Sequence, residues 1–157
     1  MRALSYVLDG SASPMETIFA MMLCLPYRMG GFGLPEPELN YGIRVQKAFP
    51  KPRQTRVRYA DLCWPDLRLI CEYDSDEFHP EERRGYDAMR RNDLRLSGYT
   101  VVEVGKDSVC RYDRFVALAR TLAGALGKRL RLPADFDCRH VHLRVCLFGR
   151  KRNPLLL

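Results

Sequence analysis

Residues 55 to 104 most narrow what this chain can fold into, because they carry two β patterns, a helical pattern and a further β pattern with almost no connecting length. Thr55 to Cys63 and Arg68 to Asp74 read as strands separated only by Trp64-Pro65-Asp66-Leu67, where proline suits the second position of a tight turn. Two strands that close together must form a hairpin. The stretch from about Glu82 to Ser97 reads as a helix ended by Gly98, a left-handed cap, and Tyr99 to Val104 is β-branched and extended. Strand, helix, strand implies a parallel crossover, right-handed because the strand twist lets the helix pack back only that way.

The flanks extend this core. Ser13-Pro14-Met15-Glu16 is a capping box with proline at the first helical position, and it predicts a helix to about Leu25 that Pro26 ends. After a loop through Gly30, Gly31, Gly33, Pro35 and Pro37, Tyr41 to Lys47 reads as another strand. Tyr112 to Leu126 places Phe115, Leu118, Leu122 and Leu126 on one helical face and stops at Gly127. Arg139 to Phe148 reads as a strand, and the residues from Arg150 onward as a frayed tail. The expectation is an α/β domain with an αβββαβ core and a mixed sheet flanked by helices. With 157 residues and 46% hydrophobic side chains, one domain is expected, its core spanning about 11–127 and followed by an extension over 128–157.

Charge points to the kind of partner. Twenty-six basic residues against 19 acidic ones leave a net charge of +7, which favours a polyanion. From Asn40 to Ala60 there is no acid, while Arg44, Lys47, Lys51, Arg53, Arg56 and Arg58 supply six cations. That stretch reads either as a solvated edge or as a nucleic-acid contact, with Arg56 and Arg58 among the contacting residues. A membrane span is not expected, since the longest apolar run, Ile18 to Leu25, is eight residues. The first ten residues lack the sustained apolar core of a secretory signal, so a cytoplasmic protein is expected. Six cysteines without any CxxC pair read as free thiols.

The chemistry gathers on the hairpin. Side chains alternate along a strand, so Glu72 and Asp74 share a face. A turn centred on Pro65-Asp66 sets Asp61 diagonal to Glu72, and a loop two residues longer sets it directly opposite; both bring Asp61, Glu72 and Asp74 together. Carboxylates so placed repel unless a proton, an arginine or a divalent cation relieves them, and oxygen-rich clusters suit Mg²⁺ or Mn²⁺. Arg84, Arg91 and Arg95 fall on one helical stripe able to meet phosphates, with intrahelical pairing such as Asp87 to Arg91 as the plainer reading. Cys138, His140, His142 and Cys146 have residue types that suit zinc, but their spacing matches no common zinc pattern, and no tightly bound zinc is expected.

The order αβββαβ, with Asp61 on the second strand and Glu72 beyond a short hairpin, resembles the core of the PD-(D/E)xK restriction-endonuclease-like nucleases. The ordered set Ser13-Pro14-Met15-Glu16, Asp61-Leu62 with Trp64-Pro65, Glu72-Tyr73-Asp74 with Phe78-His79, Asp87 with Arg90 and Leu94, and Gly98-Tyr99 with Val101-Val102 is similar to uncharacterised bacterial endonuclease-like domains related to the very-short-patch repair endonuclease. The resemblance covers about residues 11 to 105. It implies a Mg²⁺- or Mn²⁺-dependent DNA endonuclease in which Asp61 and Glu72 hold the metal. Glu16 is then an auxiliary acid, alongside its capping role, and Asp74, His79 and Arg90 belong to the catalytic set. A homodimer is a common state among such nucleases. Three departures stand out: Ala60 occupies the position of the superfamily proline, Ser75 that of a glycine, and Asp74 that of the superfamily lysine. Without that lysine, His79 or Arg90 is left to act on the attacking water, and a catalytically silent nucleic-acid-binding or regulatory module is the alternative.

Overall fold

The computed structural model describes residues 6, 8 to 46, 55 to 74 and 81 to 149, with the backbone alone for 81 to 88. His79 and the tail beyond Gly149 lie outside the described residues, as do the side chains of Arg84 and Asp87. The chain forms two compact units, one of Glu38–Lys106 and one of Met1–Pro37 with Asp107–Leu157.

The first unit is a four-stranded mixed sheet in the order β1 (Glu38–Gln46), β2 (Thr55–Trp64), β3 (Leu69–Asp74), β4 (Thr100–Gly105), with helix α2 (Glu81–Leu96) between β3 and β4 in the chain. β1, β2 and β3 are antiparallel in turn, and β4 runs parallel to β3, as a strand–helix–strand crossover requires. The hairpin loop is the longer of the two expected. Pro65–Leu67 form one 3-10 turn closed by Arg68, whose φ of 47° is left-handed and whose N–H donates to the Pro65 carbonyl at 3.0 Å. This pairs Trp64 with Leu69, Cys63 with Ile70 and Leu62 with Cys71. Gly98 ends α2 at φ 84°, where a Cβ would stand 2.8 Å from the Arg68 guanidinium.

α2 is held to the sheet by Leu94, which packs with Ile43, Val45, Ala60, Cys63 and Ile70. A fully buried leucine contributes about 2 kcal/mol. Ala60 and Cys63 both join this cluster although three residues apart, so β2 twists strongly between them. Directly before Leu94 in α2 lies a buried ionic group: Asp93, 3% exposed, accepts from Arg58 at 3.0 Å and also from Arg56.

The second unit contains α1 (Pro14–Cys24), α3 (Lys106–Cys110), α4 (Tyr112–Ala125) and α5 (Phe136–Phe148). α1 starts as its sequence dictates: the Ser13 hydroxyl accepts from the Glu16 N–H at 3.2 Å, and Glu16 Oε2 accepts from the Ala12 N–H at 2.8 Å. Past it, the chain passes so close to the helix end that a Cβ on Gly31 would lie 2.1 Å from the Leu25 carbonyl oxygen. The expected strand at 139–148 is instead part of helix α5. Its buried stripe is Phe136, His140, Leu143 and Arg144, a helical spacing hidden in sequence because two of its four members are polar types. His140 is enclosed by Phe32, Phe115, Phe136 and Tyr112, and its Nδ1 is 2.6 Å from the Gly30 carbonyl oxygen. The Arg144 guanidinium stacks over Phe115 and Phe148 and donates to the Cys110 carbonyl. The four zinc-type side chains therefore do not converge: His140 is in the core, while Cys138, His142 and Cys146 are exposed. All six cysteines are free.

Candidate functional site

The carboxylates of the hairpin meet where the sheet is irregular. Continuing the β2–β3 register sets Asp61 opposite Glu72. On the other side of β2, the β1 ladder pairs Leu39 with Leu62 and Tyr41 with Ala60, and the intervening Asn40 has a φ of 48°. The backbone is thus distorted at the point facing Asp61. The Asp61 carboxylate turns toward β3, where Oδ2 accepts the Tyr73 N–H at 2.7 Å. A side chain here takes a position that a strand carbonyl would otherwise hold, which fixes the carboxylate in the plane of the sheet beside Glu72.

Glu72 is 8% exposed. Its Oε2 lies 2.8 Å from the Arg90 guanidinium, whereas its Oε1 is buried with no hydrogen-bond partner among the described residues. Burial and then the Asp61 charge push the Glu72 carboxyl up to about 7 from its ordinary 4.5, with Arg90 and Arg91 pulling the other way. Arg90, in α2, also donates to the Tyr59 carbonyl at 2.5 Å, so it ties the helix to both strands of the hairpin. The same two carboxylates help to raise the buried Cys71 thiol, after burial itself.

Asp61, Glu72 and Arg90 are therefore brought together as the sequence suggests. Asp74 shares the face of Glu72 two residues on, at the exposed end of β3 and opposite Gly105 of β4. Glu16 belongs to the other unit, and its carboxylate is used at the start of α1, with Oε1 accepting from the Ser13 hydroxyl at 2.9 Å. The expected phosphate contacts fall into two groups. Arg56 and Arg58 both turn onto Asp93; Arg58, 7% exposed, is a correction to its place on a basic surface, whereas Arg56 keeps 23% of its side chain open to solvent. Arg91 and Arg95 both reach Glu103 on β4, at 3.5 and 2.8 Å, from positions that remain partly open to solvent. Asp93 and Glu103, which organise four of these arginines, had no signal in the sequence beyond being acids in or near an arginine-rich helix.

Among the described residues no group of three or more His, Cys, Asp or Glu side chains is arranged to hold a metal. The two carboxylates nevertheless fit one: a divalent cation prefers oxygen donors and keeps waters in its other positions, and the orphaned Glu72 oxygen beside Asp61 is a buried acceptor that lacks a positive partner.

No family model matches the chain, and no solved structure matches it. Two proteins of Mycobacterium tuberculosis, described as uncharacterized protein Rv2248 in strain H37Rv and uncharacterized protein MT2308 in strain CDC 1551, are each 40% identical to it over 81 residues, or 50% of this chain. The chain spans 27% of the length of these curated relatives. Among the described residues, no helix is long and apolar enough to cross a membrane.

Proposed function

We propose that the chain is a divalent-metal-dependent nuclease that hydrolyses DNA phosphodiester bonds in the bacterial cytoplasm. The observation that carries this reading is the buried Glu72 carboxylate with one oxygen unpartnered among the described residues, placed beside Asp61. Asp61 and Glu72 would hold Mg²⁺ or Mn²⁺, which supplies charge neutralisation at a phosphate and acidifies a water. The chain's own residues do the rest. The Tyr73 N–H orients Asp61. Arg90 lies against Glu72 as a permanent cation, able to offset charge on a phosphorane as it forms. His79, seven residues after Glu72 and directly before Pro80, is the first candidate for taking the proton of the attacking water, since imidazole titrates near neutral pH.

The test is nicking of supercoiled plasmid by purified protein in Mn²⁺ or Mg²⁺, beside Asp61→Asn and a chelator control. Nicking that needs the metal and Asp61 supports the reading; equal activity in chelator sinks it. One observation favours the second reading, a silent nucleic-acid-binding module. Position 74 holds an acid where the superfamily has lysine, and Arg90 already neutralises one oxygen of Glu72. That module predicts DNA binding, weakened by salt, without turnover.

A further inference from the structure

We infer that His142 and Cys146, one turn apart on the exposed face of α5, form a two-donor chelate for a thiophilic divalent cation, zinc by its chemistry. The pair belongs to the second unit, whereas the hairpin carboxylates belong to the first, and it does not depend on the nuclease reading.

Cys138, His142 and Cys146 follow one another at intervals of four along α5, so at about 100° per residue they fall in one stripe. His140, midway between Cys138 and His142, is turned about 200° from each and is fully buried, which sets the stripe on the side of the helix away from the core. All three side chains of the stripe are exposed. Cysteine is among the residue types most often buried, and the outward face of a helix ordinarily carries charged or polar residues. Two exposed cysteines flanking a histidine therefore need a reason other than packing.

The geometry of the pair supplies one. Cys146 Sγ lies 3.7 Å from His142 Nε2. Zinc binds sulfur at about 2.3 Å and imidazole nitrogen at about 2.0 to 2.1 Å, so two such donors at a tetrahedral angle stand about 3.6 Å apart. The two atoms are thus already spaced to close on one ion, and a helix holds residues four apart at that spacing without ordering a loop. Donor type narrows the choice of ion: a thiolate with an imidazole suits zinc, whereas Mg²⁺ and Ca²⁺ take oxygen donors. Cys138 cannot share the ion with Cys146, since eight residues span about 12 Å of helix. The site uses neither Cys138 nor His140, which is in the core, and so is not the four-residue cluster named from the sequence. Water fills the remaining positions, and the ion exchanges with solvent. On binding, the Cys146 thiol releases its proton to solvent and His142 gives the Nε2 lone pair of its neutral ring, so affinity rises with pH.

The experiment titrates the full chain, reduced and stripped of metal, with Co²⁺ in the absence of oxygen and follows the near-ultraviolet charge-transfer band of a thiolate bound to cobalt. Wild type should saturate at about one ion per chain, and zinc should then displace the cobalt and remove the band while excess Mg²⁺ leaves it. Cys146→Ser should lose the band. His142→Gln should need about 10-fold or more cobalt for half-saturation, because losing a donor costs at least as much as losing a donor's hydrogen-bond partner. Cys138→Ser and Asp61→Asn should titrate like wild type, which keeps the site separate from the nuclease reading. Alkylation of the wild-type chain reads the same site without a substitution: zinc should protect Cys146 and leave Cys138 reactive, as located by mass spectrometry. The inference is overturned if no band forms, if Cys146→Ser retains it, if His142→Gln titrates like wild type, if Cys138→Ser loses it, if Mg²⁺ removes it, or if zinc leaves Cys146 unprotected.

Discussion

Replacing Glu72 by glutamine should stabilise the protein, and do so only above a definite pH. A carboxyl that titrates at about 7 in place of 4.5 keeps its proton in the folded protein after the unfolded chain has released it. Between those two values the folded state binds more protons than the unfolded one, so stability falls as pH rises through that window. At about 1.4 kcal/mol for each unit, the full penalty is about 3 kcal/mol above pH 7. The physical source is burial of a charge beside Asp61, incompletely repaid by Arg90. Glutamine keeps the shape and can still accept from Arg90, but carries no charge to bury.

The assay is urea denaturation of wild type and Glu72→Gln at half-unit steps from pH 4.5 to 8.5, in chelator, with the difference in unfolding free energy plotted against pH. Taking the difference cancels the titrating groups that do not interact with Glu72. The variant should match wild type near pH 4.5 and exceed it by about 3 kcal/mol near pH 8. Adding Mg²⁺ should shrink the gap from the wild-type side, because a cation bound at Glu72 stabilises only the protein that still carries the carboxylate. A difference that is flat with pH, or that favours wild type at pH 8, would falsify the claim that the Glu72 carboxylate is destabilising where it stands.

Three further outcomes test the packing within each of the two units. Asp93→Asn should cost about 3 kcal/mol or more in urea denaturation, since it strips the counter-ion from buried Arg58 and its neighbour Arg56; a loss below 1 kcal/mol would show that water reaches them. Gly31→Ala should cost about 3 kcal/mol or more, because its Cβ meets the backbone carbonyl of Leu25 and not a side chain that can swing away; an unchanged thermal midpoint would refute the close approach. His140 is pushed down to about 4, mainly by burial, so the unfolded chain binds its proton first as pH falls from 6.5. The stability it confers is complete above pH 6.5 and is lost toward pH 4, by about 3 kcal/mol, and His140→Gln should remove that slope if the imidazole is its source.

The legible parts of this chain were those where local chemistry and tertiary structure agree. Ser13, Pro14 and Glu16 cap α1, Gly98 ends α2 in the left-handed region, and the β-branched run after it forms the parallel strand β4. The hairpin register was left between two values because turn length decides it, and the deciding feature, Arg68 at positive φ, is a conformation that arginine does not advertise. α5 was misread for a different reason. Its core stripe includes His140 and Arg144, whose partners include the Gly30 and Cys110 carbonyls and the Phe115 ring, all far away in sequence, and polar types in a core defeat a pattern built on hydrophobicity. The burial of Arg58 is hidden likewise, since nothing near it in sequence reveals that Asp93 waits 35 residues away.

The carboxylate pair shows how the fold supplies a positive charge that strand β3 does not. A lysine at position 74 would place a positive charge on the same strand as Glu72; aspartate offers none. The positive charge comes from α2, where Arg90 spans Glu72 and the Tyr59 carbonyl. A guanidinium differs from an ammonium in two ways that matter here: it stays charged at any working pH, so it cannot accept a proton from water, and its planar fork can hold two acceptors at once. The first property removes Arg90 from proton transfer and leaves it to charge stabilisation and positioning. Here both acceptors, Glu72 Oε2 on β3 and the Tyr59 carbonyl on β2, meet the same nitrogen, Nη2. Glu72 is therefore compensated by Arg90 at Oε2, with Arg91 also acting on its charge, while Oε1 stays buried without a hydrogen-bond partner among the described residues.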